Sequence, residues 1–256
     1  MSKIDSNYQN NNYYYQPRSQ ASAEMGWILA TATTGLIYKA LPSFSNPFLK
    51  QMHKEHANNH IYEDVFYKAV KNSGLTEKGL KIVHDANPAT DVGKGLNAYF
   101  SPQTKEIVLN TKKASISGFH ELGHAMNNMK SKTGKFLQSL RRPGYAIAGL
   151  MASFALLSRP KPKEAKRDVK DFIVDNCGKI AFIAMLPTVI EESLASYKGV
   201  KMARQAGLAE PAVKNLKKFY GKALLSYGGY ALISGLSVFA ASKIMDKFTR
   251  PQKVEY

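Results

Sequence analysis

Along the first 22 residues the chain carries almost no aliphatic side chain. Only Ile4 precedes Ala21 in a run rich in Asn, Gln, Tyr and Ser. Such a segment cannot bury a core and reads as a disordered tail. Met25 to Tyr38 then contains no charge; its length suits a buried or interfacial helix, a full membrane span needing about 20 residues. Between 48 and 84 the apolar positions recur at helical spacing. Ile61, Val65, Phe66, Ala69 and Val70 share one face of a helix predicted to end near Gly74. Thr76 is placed to cap a second short helix containing Leu80, Ile82 and Val83. The stretch 85–95, dense in Asn, Pro, Asp and Gly, reads as a loop. Two strand-like runs, 96–100 and 106–109, flank Ser101-Pro102-Gln103-Thr104-Lys105 and predict a β-hairpin. From Ile116 onward the pattern is helical, with breaks expected at Pro143-Gly144, at 159–162 and from Gly207 to Pro211.

Three apolar stretches occupy this helical half. The run 144–158 is uncharged but short, and 172–190 is interrupted by Asp175 and Lys179. The run 223–242 is uncharged throughout and alone meets the length rule for a transmembrane helix, a buried core helix being the alternative. The expected organisation is therefore a tail over 1–22, one domain over 23–246 and a basic tail over 247–256. Membrane-associated helices are expected at about 25–38, 144–158, 172–190 and 223–242, in an α+β, predominantly α fold.

Charge narrows the partners. Thirty-six Lys and Arg against 19 acids leave a formal charge of +17, which favours nucleic acid or anionic lipid. The cations cluster beside apolar runs: Lys135, Arg141 and Arg142 before 144–158, and six more between Arg159 and Lys170. That placement fits a protein lying against anionic membrane lipid and disfavours nucleic acid, for which no binding motif occurs. A mean hydropathy of −0.30 excludes a chain made mostly of spans. The single cysteine, Cys177, cannot form an internal disulfide and reads as core; any metal must be held by histidines and carboxylates.

Such residues occur together at His120-Glu121-Leu122-Gly123-His124, which fits H-E-x-x-H. Positions i and i+4 lie one turn apart on one helical face, so two imidazoles can share one tetrahedral zinc ion. Glu121 lies about 100° round the helix and can act on a water as general base. Phe119, Leu122 and Ala125-Met126 make the helix apolar around the histidines, and Gly123 implies a close approach by another element.

A third protein ligand is needed. No histidine follows His124, and position 130, where metzincins place their third histidine, is Lys130. Of the downstream acids, Glu164 and Asp168 lie in a basic linker, and Asp171 and Asp175 are outside possibilities. Glu191-Glu192 end an apolar run, where charge is costly unless paired or metal-bound. Glu192, Ala195, Ser196 and Gly199 form a stripe of small residues that would let this helix lie against the Gly123 helix. Glu192 is therefore the expected third ligand, with Glu191 as the alternative.

The stretches Asn97-Ala98-Tyr99-Phe100, Lys105–Asn110 and FHELGHAM resemble the membrane zinc peptidases of the CAAX prenyl-protease and heat-shock protease group. Glu192-Ser193-Leu194-Ala195-Ser196 is similar to their E-x-x-A-D motif, with Ser196 in place of the acid. The resemblance implies a zincin-like core of gluzincin type, one Zn²⁺ on His120, His124 and Glu192, and an edge strand that pairs with an extended protein or peptide substrate. The expected function is a membrane-associated zinc endopeptidase, its site on the cytoplasmic side and its oligomeric state left open. A membrane scaffold with an inactive zincin fold and a nucleic-acid-binding protein are the competing readings. Tyr197 is a candidate oxyanion donor. His53, His56 and His60 lie on one helical face as a weaker metal group, read as a solvated polar face, and His84 beside Asp85 as a substrate-side loop group.

Overall fold

The computed structural model describes residues 13–39, 60–93, 97–158, 161–162 and 165–255. In chain order the elements are β1 (Tyr13–Gln16), α1 (Gln20–Lys39), α2 (His60–Ser73), β2 (Lys81–His84), β3 (Ala98–Ser101) and β4 (Glu106–Leu109). They continue with α3 (Thr111–Lys130), α4 (Lys132–Leu157), α5 (Val169–Gln205), α6 (Glu210–Thr249) and β5 (Gln252–Glu255). The fold is α+β and predominantly helical. Its contacts divide the chain into two compact units. The first comprises Met1–Ala40, Gly144–Met185 and Ala231–Tyr256; the second comprises Leu41–Pro143 and Leu186–Tyr230.

In the second unit a three-stranded sheet has the order β2-β4-β3. The hairpin β3–β4 is antiparallel, with Phe100 opposite Ile107, and its turn holds Lys105 in the left-handed region at φ 55°. β2 runs parallel to β4, where a helix through Leu80, Ile82 and Val83 was expected. Only a single 3-10 turn, Thr76–Lys78, forms before Gly79 (φ 90°) ends it. The pairing that makes β2 a strand comes from residues 25 positions away, as Ile82 opposite Ile107 shows. β4 is the central strand, and Ile107, Val108 and Leu109 are all buried.

Asn110, extended at φ −92°, turns the chain from β4 into α3. Ile116, Phe119, Leu122 and Ala125 of α3 are fully buried and pack with Phe66 and Leu75 in one core. Phe66 meets Phe119 edge to face, with ring centroids 5.6 Å apart. The buried stripe of α2 is Tyr62, Phe66, Ala69 and Val70. Ile61, expected on that face, is 65% exposed; an apolar residue one position early falls about 100° off the stripe.

In the first unit α1 and parts of α4, α5 and α6 pack through small residues. Ala30, Ala155, Ala181 and Ala241 are buried with Met151, Cys177, Val238 and Met245. A Cβ on Gly178 would fall 2.8 Å from the Gly235 carbonyl oxygen, so α5 and α6 touch backbone to backbone there. Large apolar side chains point the other way: Trp27, Ile28, Leu36, Leu150, Phe154, Phe172, Leu232 and Phe239 are exposed. α5 and α6 are long and apolar enough to cross a membrane.

Several boundaries differ from expectation. The Asn/Tyr-rich segment is not a tail throughout: Tyr13–Gln16 pairs antiparallel with Gln252–Glu255, and α1 begins at Gln20. The basic C-terminal tail likewise contains the end of α6 and β5. Residues 1–12 lie outside the described residues. α4 continues through Pro143, where a break was expected. The proline forfeits one backbone hydrogen bond, but Gly144 seats the helix on the Ala184 carbonyl, which a Cβ there would approach to 2.3 Å. Helix α4 ends at Leu157 and α5 begins at Val169 with a reciprocal cap: the Asp171 N–H donates to Asp168 (3.0 Å) and the Asp168 N–H to Asp171 (2.9 Å).

In the second unit α3 and α5 meet backbone to backbone. A Cβ on Gly123 would lie 2.0 Å from the Ala195 carbonyl oxygen, and one on Gly199 would lie 2.4 Å from that of Phe119. Gly199→Ala is therefore expected to destabilise the second unit by about 1–3 kcal/mol through overpacking. Gly221→Ala, where nothing lies within 4 Å, should be neutral or stabilising by up to about 1 kcal/mol from helix propensity. Denaturant titrations of both variants check the contrast.

Candidate metal centre

The crossing of α3 and α5 sets the distance between the H-E-x-x-H face and Glu192. His120 Nε2 lies 3.0 Å from His124 Nε2 and 3.0 Å from Glu192 Oε2, and His124 Nε2 lies 3.4 Å from that same oxygen. Ligand atoms about 2.0–2.1 Å from a tetrahedral zinc sit about 3.3 Å from one another. The triangle thus has the size that a shared metal ion requires, and His120, His124 and Glu192 form the one such group found among the described residues.

The other end of each of these three side chains is held. His124 Nδ1 is 2.9 Å from Glu191 Oε1, so its N–H donates to that carboxylate and Nε2 is turned toward His120 and Glu192. His120 Nδ1 is 3.2 Å from Ser196 Oγ, which turns its Nε2 inward likewise. Arg141 donates to Glu192 Oε1 at 2.6 Å, which leaves Oε2 facing the imidazoles. The same guanidinium reaches Glu191 Oε2 at 3.2 Å. Asn127 (2.9 Å) and Gln138 (2.8 Å) donate to Glu191 Oε1.

Glu191 and Glu192 are both buried, yet they do different work. Adjacent helical residues point about 100° apart. Glu192 therefore reaches the front of the imidazoles, while Glu191 lies behind His124. Ser196 occupies the hydrogen-bonding position behind His120.

Glu121 is buried beside the ligands, and its Oε2 accepts the Phe100 N–H at 2.8 Å. Burial raises its pKa above the ordinary carboxylate value, although the two imidazoles and that N–H pull the other way. Burial alone would lower the pKa of His124, but hydrogen bonds to Glu191 and Glu192 outweigh it and lift the value to about 10. The negative field that holds a proton on this imidazole is the kind of field that holds a metal cation. Donor set, spacing and field all fit a divalent zinc.

A cavity of about 590 Å³ opens onto Glu121, His124 and Glu192. β3 contributes Ala98, Tyr99 and Phe100 to it, and α4 contributes Lys135, Gln138, Ser139, Arg141 and Arg142.

The remaining sequence candidates lie elsewhere. Tyr197 is 66% exposed and does not line the cavity, because it projects from the outward face of α5; Tyr227 of α6 does line it. Asp171 and Asp175 pair with Lys161 and Arg167 in the first unit. His84 is hydrogen-bonded to Tyr67, with 3.0 Å between Nε2 and the hydroxyl. His53, His56 and Glu164 lie outside the described residues, and of His60 only the backbone is described. Asn127, Gln138 and Arg141 were not anticipated as supports of the centre. Gln138 and Arg141 stand three residues apart on α4, but no signal in the sequence pairs either of them with Glu191 or Glu192.

If this geometry describes a metal centre, Glu192→Ala abolishes zinc binding. Glu191→Ala, which only loosens His124, should weaken it by about 10–100-fold. Metal content by atomic spectroscopy and affinity by competition with a chelator distinguish the two variants; equal losses would remove the assignment of Glu192 as ligand.

No family model, no curated protein and no solved structure matches the chain.

Proposed function

We propose that the protein is a membrane-associated, zinc-dependent endopeptidase. The observation that carries this reading is the convergence of His120 Nε2, His124 Nε2 and Glu192 Oε2 at 3.0–3.4 Å, with Glu121 beside them at the mouth of a cavity. When bound, zinc would supply a Lewis acid that polarises the scissile carbonyl and acidifies a water.

The chain's own groups do the rest. Glu121 takes the proton of the attacking water and returns it to the leaving amine; a pKa raised by burial suits it to both transfers. His120, His124 and Glu192 are held in one geometry by Ser196, Glu191 and Arg141, so little reorganisation is needed during the reaction. β3 is an edge strand beside the cavity. An extended peptide can add to that edge by main-chain hydrogen bonds, which place a carbonyl over the centre without demanding one sequence.

Membrane association is supported by the first unit. Small residues inside and large apolar residues outside invert the pattern of a water-soluble bundle and match helix packing in lipid. Anionic headgroups are suitable neighbours for the cations at 161–170.

Two outcomes test the reading. Glu121→Gln should retain zinc and lose activity on casein or mixed peptides by about 10²-fold or more; wild-type turnover in this variant would exclude the mechanism. The wild-type chain should stay with the membrane fraction after alkaline carbonate washing, and release into the supernatant would exclude integral association.

A further inference from the structure

The cavity has two unlike walls. One is β3 and its turn, with Tyr99, Phe100, Pro102 and Gln103; the other is the first part of α4. The only acids among its lining residues are Glu121 and Glu192, both committed to the centre. On α4, Gln138 and Arg141 are engaged with Glu191 and Glu192. Lys135 and Arg142 are different. Both line the cavity, both are exposed, and neither pairs with an acid among the described residues.

Their spacing has a consequence for an extended ligand. Seven helical residues at 1.5 Å each put Lys135 and Arg142 about 10 Å apart along α4. That distance matches about three residues of an extended chain at roughly 3.4 Å each. Gln138 and Arg141, which hold the carboxylates of the centre, lie between them. A peptide lying along the cavity therefore meets one unpaired cation on each side of the bond held over the metal centre. A cleft lined by cations repels a basic side chain at either place and attracts an acidic one.

Building on the peptidase reading, we infer that Lys135 and Arg142 select substrates carrying acidic side chains on both sides of the scissile bond. The occupant is an acidic peptide segment, recognised by charge at two points and by main-chain pairing with β3 between them. Such recognition weakens with ionic strength, because exposed cations are screened over about 10 Å at 0.1 M salt.

Digestion of a mixed peptide library by the zinc-loaded, detergent-purified protein tests this, with cleavage sites read by mass spectrometry. Asp and Glu should be enriched about tenfold within three positions on both sides of the cut at low salt, and much less at high salt. The double variant K135E/R142E, with zinc content unchanged, should shift the enrichment to Lys and Arg. Cleavage without charge preference, or a preference that the double variant leaves intact, overturns the inference.

Anisotropy of a fluorescein-labelled Glu-rich peptide on zinc-loaded E121Q protein separates this inference from the reading beneath it. Binding that K135E/R142E abolishes upholds the cationic wall even where no peptide is cut, a result that counts against the peptidase reading alone. Binding no tighter than that of a Lys-rich peptide overturns the wall. Loss of phosphatidylserine-vesicle binding in the double variant, with peptide preference unchanged, would assign the two cations to lipid and overturn it as well.

Discussion

The centre depends on two helices crossing with their backbones in contact. α3 supplies two imidazoles a turn apart, and α5 must bring a carboxylate within about 3.3 Å of both for a tetrahedral ion to fit. Side chains at the crossing would hold the helices too far apart. Gly123 lies against the Ala195 carbonyl and Gly199 against that of Phe119, so each helix contributes a glycine where the other's backbone passes. Helix propensity is given up at two positions, and in return the distance between ligands is set by backbone contact rather than by flexible side chains. Glu192 can then reach His120 with its carboxylate already fixed by Arg141.

That contact also explains why two adjacent glutamates can be buried together. Either alone in an apolar surrounding would be expelled or protonated. Here the pair shares one guanidinium, and Glu191 accepts further hydrogen bonds from His124, Asn127 and Gln138. Glu191, immediately before Glu192, supports the second histidine rather than the first. Ser196 supports the first. A neutral hydroxyl thus stands behind His120 and a carboxylate behind His124.

The parts of this arrangement that were legible in the sequence are those set by local periodicity. The i, i+4 spacing of His120 and His124, the small stripe beginning at Glu192 and the hairpin around Pro102 are each contained within a few turns or strands. The parts that were not legible depend on what the chain meets in space. Lys81–His84 carries an apolar pattern short enough for helix or strand, and only its parallel pairing with β4 decides. Pro143 is a helix breaker by local rule, yet packing through Gly144 carries α4 across it. Tyr197 and Glu192 share a helix and lie five residues apart; a rotation of about 140° sends the tyrosine to the surface while the glutamate faces the centre. Arg141 was visible only as one of many basic residues, because nothing in its neighbourhood announced which carboxylates it would meet.

The same geometry joins the centre to the sheet. β3 has β4 on one side only, so Phe100 directs its N–H outward, where it finds Glu121 instead of another strand. The carboxylate thereby occupies the place that a pairing partner would use and fixes the distance between the edge strand and the imidazoles. Glu121 is thus a member of the sheet's hydrogen-bonding edge as well as a neighbour of the ligands. A peptide laid along β3 pairs, under the peptidase reading, only where this edge remains open, and Glu121 restricts its register. Under the peptidase reading, positioning of the substrate and placement of the base follow from one hydrogen bond between a strand that lacks a neighbour and a carboxylate buried one residue from a ligand.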